Sequence, residues 1–300
     1  MYLERTITQP LPGSHATPVL LVHGAYAGAW VYKHWRTYFA ERGYLVCSMS
    51  LRGHGASDGL SVLRAARMED YVDDVAAVLV TLAAPAVLVG HGMGGALVLE
   101  CAARHPEAVS AVALLAVAIP QARRAVDRLH LLRRLGPQTV AAIGRAQLAA
   151  RLSGAWYEPY AHVERARRVF FSPILDAVLA SSYAGQPQPE SLVALSQLSS
   201  GAFRPRIAAV RASAIVIGAA GDALSHGAAV ARTATILGTE ARACHGGHLL
   251  MLDHGWAEGA AILLDELHKQ GIPQPLSIPQ RARRARAGVR EERLVPHLGA

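Results

Sequence analysis

Cysteine is sparse. The 300-residue chain has three, Cys47, Cys101 and Cys244, far apart and without paired spacing. Nothing in that arrangement supports a disulfide framework or a zinc knuckle. Charge is thin as well, at 17% of residues against about 25% in ordinary globular chains. Lysine occurs only at Lys33 and Lys269. Long hydrophobic runs are missing too. The longest, near 108–119, is interrupted by Ser110 and falls short of the roughly 18 residues that a membrane helix needs. Met1-Tyr2-Leu3-Glu4-Arg5 lacks the apolar stretch of a signal peptide. The expectation is a soluble protein of the cytoplasm without a transmembrane segment.

The net charge of +8 is concentrated in two places. Residues 121–135 carry five arginines and one aspartate, and residues 272–300 carry six arginines and two glutamates. The remainder is neutral, so there is no continuous basic face and nucleic-acid binding is disfavoured. The 52% of hydrophobic residues suffice for one large core. At roughly 150 residues per domain, the length fits two domains or one large α/β domain with an insertion.

Short apolar runs alternate with longer helical patterns. Pro18–His23, Tyr44–Met49, Ala86–Val89, Val109–Ala116 and Ala214–Ile217 are apolar on both faces, as parallel strands covered by helices must be. Met68–Leu82, Gly95–Arg104 and Trp256–Leu267 place apolar residues at helical spacing. The alternation predicts an α/β fold with a doubly wound, mostly parallel sheet. Ligands bind such sheets at the carboxyl ends of the strands. The rhythm stops between 118 and 206, where prolines and glycines break several helices. That stretch reads as a helical lid inserted into a core formed by 1–117 and 207–271. In its first helix, near 121–135, Ala122, Ala125, Leu129 and Leu132 fall on one side and the arginines largely on the other. The proline- and arginine-rich stretch 272–300 reads as a poorly ordered basic tail.

The most informative segment is Val87-Leu88-Val89-Gly90-His91-Gly92-Met93-Gly94-Gly95, an apolar strand running through glycines into a helix. Gly90-x-Gly92-x-x-Gly95 formally matches a dinucleotide fingerprint. That motif wants an acid at the end of the next strand, whereas this one ends Leu114-Leu115-Ala116-Val117, so no cofactor is expected. The other reading is a nucleophile elbow, in which the central residue occupies a strained strand-to-helix turn flanked by small residues.

Four further motifs lie in order along the chain, two before the elbow and two after it. They are His23-Gly24-Ala25 with Tyr26-Ala27-Gly28-Ala29-Trp30, Arg52-Gly53-His54-Gly55-Ala56-Ser57, Gly218-Ala219-Ala220-Gly221-Asp222, and Gly246-Gly247-His248 continuing to Asp253. Together with the elbow they resemble the α/β-hydrolase superfamily, of esterase/lipase type, over roughly residues 17–270. The resemblance implies an α/β-hydrolase fold, with Asp222 and His248 as triad acid and base. It also implies an oxyanion hole from the backbone N–H groups of Ala25 and Met93, and no metal. Phe170-Phe171-Ser172-Pro173 is similar to lid segments of small esterase-like members. Where the family places its serine, this chain has Gly92. Glycine tolerates the strained turn but offers no nucleophile, so the acyl-enzyme route fails at its first step.

Other candidates have plainer readings. His91 and Cys101 suit packing, and His54 suits bracing of its loop. Ser50 and Ser57 lie near the sheet edge but outside the elbow. His245-x-x-His248 with Asp253 and His254 has weak metal-ligand spacing on a loop. The expected function is that of a hydrolase-family protein acting on a small, largely apolar ester or other carbonyl compound through His248 and Asp222. The alternatives are a non-catalytic pseudoenzyme that binds a ligand or partner, or a cofactor-free lyase or cyclase.

Overall fold

The computed structural model describes residues 1–10, 17–154 and 156–272. Of the tail expected over 272–300, Ile272 is buried against the core, and the rest, from 273 onward, lies outside the described residues. Within them, the strands are β1 (Arg5–Thr8), β2 (Pro18–Val22), β3 (Leu45–Met49), β4 (Ala86–His91), β5 (Val109–Leu115), β6 (Ser213–Ala219) and β7 (Ala241–Cys244). They form one sheet in the order β1-β3-β2-β4-β5-β6-β7. All neighbours are parallel except β1, which runs antiparallel to β3.

Period-two alternation divides each central strand between two helical layers. Val19, Leu21, Val87 and Val89 face a core built with α1 (Lys33–Ala40) and α9 (Trp256–Lys269). Leu20, Val22, Leu88 and Leu114 face α2 (Met68–Leu79), α3 (Met93–Arg104) and α8 (Gly227–Ile236). These strand residues are fully buried, which is why the runs are apolar on both faces rather than alternating. This is the α/β-hydrolase fold.

Strand order places the site. From β2 the chain crosses to β3 on one side and then returns to β4 on the other. The loops leaving β2 and β4 therefore diverge, and a crevice opens at their carboxyl ends, where doubly wound sheets hold their ligands. Gly94 lets α3 start hard against β2, since a methyl group there would lie 2.5 Å from the His23 carbonyl oxygen.

Between β5 and β6 lie α4 (Ala125–Ser153), α5 (Val163–Phe170), α6 (Ala177–Ala184) and α7 (Leu192–Ser200). α4 is two helices joined at a kink, where Gly136 has φ 72° and ψ 163° and Pro137 follows. Of the side read from residues 121–135, Ala122 is buried in the turn before α4, whereas Ala125 is exposed. Leu129 and Leu132 are exposed, while Leu135 is buried and Leu131 packs against the core. No helix among the described residues is long and apolar enough to cross a membrane.

Candidate active site

Gly92 occupies the turn between β4 and α3 with φ 52° and ψ −116°, a left-handed conformation that side chains rarely adopt. Its N–H donates to the Leu115 carbonyl at 3.0 Å, which fixes the turn to the neighbouring strand. Met93 opens α3, so its N–H is one of the donors that a helix start leaves without an intrahelical partner. On the β2 side, the Gly24 Cα lies 3.9 Å from a methyl carbon placed on Gly92, and Ala25 follows it.

The histidine and acid expected from sequence meet here. His248 Nδ1 donates to Asp222, with both carboxylate oxygens at 3.0 Å. Oδ1 of Asp222 also accepts from the N–H groups of Leu224 and Ser225, at 2.7 and 2.9 Å. The carboxylate is thereby oriented, and Nδ1 carries the imidazole proton. That leaves the Nε2 lone pair directed at the turn. A methyl carbon on Gly92 would sit 3.4 Å from Nε2. Both side chains are nearly buried, and Phe170 lies over the imidazole at a ring separation of 6.3 Å.

Three other histidines brace this arrangement. His91 Nε2 donates to the His248 carbonyl at 3.0 Å. Burial, with the His248 ring beside it, pushes the His91 imidazole well below the usual range, so it stays neutral. His23 Nδ1 donates to the Gly24 carbonyl at 2.7 Å, and its Nε2 accepts from the Leu51 N–H at 3.0 Å. Burial first, then His54, pushes His23 down to about 3. His54 is paired with Glu190 at 3.3 Å, and neither side chain reaches solvent.

Sequence reasoning missed Glu190. Its carboxylate accepts from the Tyr71 hydroxyl at 2.6 Å, the Ser191 N–H at 2.7 Å and, at 3.3 Å, the Tyr26 N–H. Tyr26 has φ 64°, a costly angle for a side-chain-bearing residue. The Gln188 N–H donates to the Tyr26 carbonyl at 2.9 Å. The helical insertion therefore holds the residue that follows Ala25 from both its N–H and its carbonyl. No local pattern marks Glu190; Tyr71 and Tyr26 lie 119 and 164 residues away.

The insertion also grips the histidine loop. Asp253 accepts from Ser172 N–H and Oγ–H, each at 2.7 Å, and from the Gly247 N–H at 2.9 Å. It also accepts from His254 through its backbone and Nδ1, at 2.7 Å each. Burial pushes the Asp253 carboxyl up, but the bonds from Ser172, His254 and Gly247 outweigh it and hold it below the ordinary value. Asp253 and His254 are thus engaged with each other and with Ser172, while His245 pairs with Glu258 at 2.8 Å. Among the described residues no cluster has the makeup of a metal site.

Asp253→Asn should lower stability by about 2 kcal/mol at pH 7, because a neutral amide replaces a carboxylate that takes charge-assisted bonds. A carboxylate with a depressed folded pKa adds stability above its unfolded value, and that contribution fades as pH falls through the folded one. Urea titrations at pH 7 and pH 3 should therefore show a smaller gap between variant and native protein in acid. An equal gap at both values would remove the charge from this account.

Ser50 and Ser57 are structural. Ser50 Oγ donates to Glu4 and accepts from the Ala29 N–H, and Ser57 Oγ donates to the Ser50 carbonyl. Cys47, Cys101 and Cys244 are buried free thiols.

Comparison with known proteins agrees with the fold. A profile for the family described as serine aminopeptidase, S33 matches residues 13–159, just under half of the chain. The monoacylglycerol lipase of Mycolicibacterium smegmatis is 38% identical over 103 residues, which is 32% of this chain and 36% of the lipase. Matches to curated relatives cover between 32% and 40% of those proteins' lengths. Among solved structures, a thermophilic esterase from Thermogutta terrifontis superposes with a TM-score of 0.67 at 19% identity, over 89% of this chain and 93% of the esterase. A serine-to-glycine mutant of the N-acyl homoserine lactonase AidH, complexed with N-hexanoyl homoserine lactone, superposes with a TM-score of 0.61 at 19% identity, over 89% of this chain and 94% of the other. The profile and the relatives support the α/β-hydrolase superfamily.

Proposed function

We propose that this chain is an α/β-hydrolase in which Gly92 stands where a serine nucleophile would be. It binds a small, largely apolar ester or related carbonyl compound and acts on it without a covalent intermediate. The observation that carries this reading is that a side-chain carbon placed on residue 92 would lie 3.4 Å from Nε2 of a histidine whose Nδ1 is held by Asp222. The backbone angles at Gly92 are those of an elbow.

In this reading His248 is a general base. It takes a proton from water as the water oxygen bonds to the carbonyl carbon. The N–H groups of Ala25 and Met93 hold the resulting oxyanion. The intermediate collapses, and the leaving alkoxide takes the proton back from His248. Residues 118–206 form a lid over the pocket, and Phe170 supplies an apolar wall. An apolar acyl preference is supported by the name of the lipase relative and by the lactone held in the AidH mutant.

Without an attached nucleophile, turnover rests on the oxyanion hole and the base alone, so it is slow. His248→Ala should lower the hydrolysis of p-nitrophenyl butyrate by about tenfold or more, since one positioned base supplies about 10²–10⁴-fold. Equal rates in the two proteins would end the base assignment. A second reading is favoured by Gly92 itself, which relieves elbow strain while removing the nucleophile: a pocket that holds its ligand without converting it. A ligand-induced rise in melting temperature with no product would select that reading.

A further inference from the structure

A cavity of about 540 Å³ lies between the end of α4, Tyr157, the turn Leu60–Ala65 and α7. Its size is that of a small-molecule site. None of Gly92, Asp222, His248 or Phe170 lines it. Its walls are largely apolar, including Leu192, Val193 and Ala202, with Arg64 and Arg151 as its two cations. The Arg64 guanidinium is held over the Trp156 ring at 4.4 Å, so its charge is positioned in advance.

The acid in the lining is Glu190. Its charge is already answered by His54, and its oxygens are taken by Tyr71, Ser191 and Tyr26. The field left for a ligand is that of the two arginines. A cation would be repelled, and a wholly apolar molecule would leave two guanidinium groups unmatched.

We propose that this groove is a second, non-catalytic binding site for a monoanionic amphiphile. The ligand is a free carboxylate with an apolar chain on the order of ten carbons. Its head group meets Arg64 and Arg151, which suit a carboxylate geometrically as well as electrostatically, and its chain lies along Leu192, Val193 and Ala202. The site stands whether or not the elbow reading is correct, because Gly92, Met93, Ala25, Asp222 and His248 all lie outside its lining.

Calorimetric titration with sodium decanoate, below its micelle concentration, tests the assignment. Saturable binding is expected, weakening with salt. Arg64→Gln and Arg151→Gln should each weaken it about tenfold, the loss of one charge-assisted contact. Ser196→Trp should fill the groove and abolish binding, while His248→Ala should leave it unchanged. Decyltrimethylammonium should not compete. Circular dichroism and melting curves establish that each variant is folded; if Ser196→Trp is not, the two arginine variants decide. Binding that survives both arginine substitutions, or that is lost in His248→Ala, overturns the proposal. So does retention on anionic vesicles without binding of monomeric decanoate.

Discussion

Gly92→Ser should raise kcat/KM for a short-chain p-nitrophenyl ester by a factor of about 10³ or more over the native chain. The argument is geometric. A side-chain carbon at 92 would meet Nε2 of His248 at 3.4 Å as its nearest neighbour, which is ordinary contact. The added hydroxyl would then lie within reach of the base. The imidazole has its proton on Nδ1, facing Asp222, so Nε2 is free to accept the serine proton. The turn exacts a penalty. At φ 52° a residue with a side chain bears about 1–3 kcal/mol of strain, so the variant should melt a few degrees lower. Steady-state kinetics read the gain, and a fluorophosphonate should add its mass to the variant and not to the native protein. A folded variant that neither hydrolyses esters nor takes the label would show that the turn at 90–95 is no longer a nucleophile site.

Glu190→Gln should cost about 3–5 kcal/mol, because it leaves the buried His54 charge without its partner. Burial alone would push the His54 imidazole down, but Glu190 lies close enough to hold it above the ordinary value. Burial likewise lifts Glu190, and the pull of His54, Tyr71 and Ser191 more than reverses it. The signs set a pH window. The histidine's contribution is complete below its unfolded value, about 6.5, and fades as pH rises through the folded one. The glutamate's is complete above its unfolded value, about 4.3, and fades as pH falls. The pair is therefore worth most between these two, and the gap between native and variant stability should peak near pH 5–6. Denaturant titrations across pH 4–9 measure it. A gap that is flat over that range would mean the pair is not ionised.

How legible this molecule was depends on where each residue's reason lies. Strands β2, β4 and β5 are apolar throughout because helices cover both faces, and that shows in the letters. Strand β7 does not, since Ala241, Arg242 and Ala243 are exposed and its ladder with β6 is all that defines it. Strand β1 is four residues long and is set by pairing with β3. The positions of Gly92, Asp222 and His248 were readable because each sits at a strand end in a glycine-marked loop. The supports were not. Glu190, Ser172 and Tyr71 act through bonds that join distant segments, and an acid within Pro189-Glu190-Ser191 looks like any solvent-facing residue ahead of a helix. The exposure of Leu129 and Leu132 in α4 escaped for a related reason, as helical periodicity finds an apolar side but not which way the helix will face.

The two attachments of the insertion have a consequence for traffic. Ser172 is bonded to the loop bearing the imidazole, and residues 188–190 are bonded to the residue beside Ala25. Neither stretch can swing away without dragging the His248 loop or the Tyr26 turn with it. The first turn of α4 is tied down as well, since Arg232 pairs with Asp127, so any passage to the pocket in the proposed reading opens away from all three of these attachments.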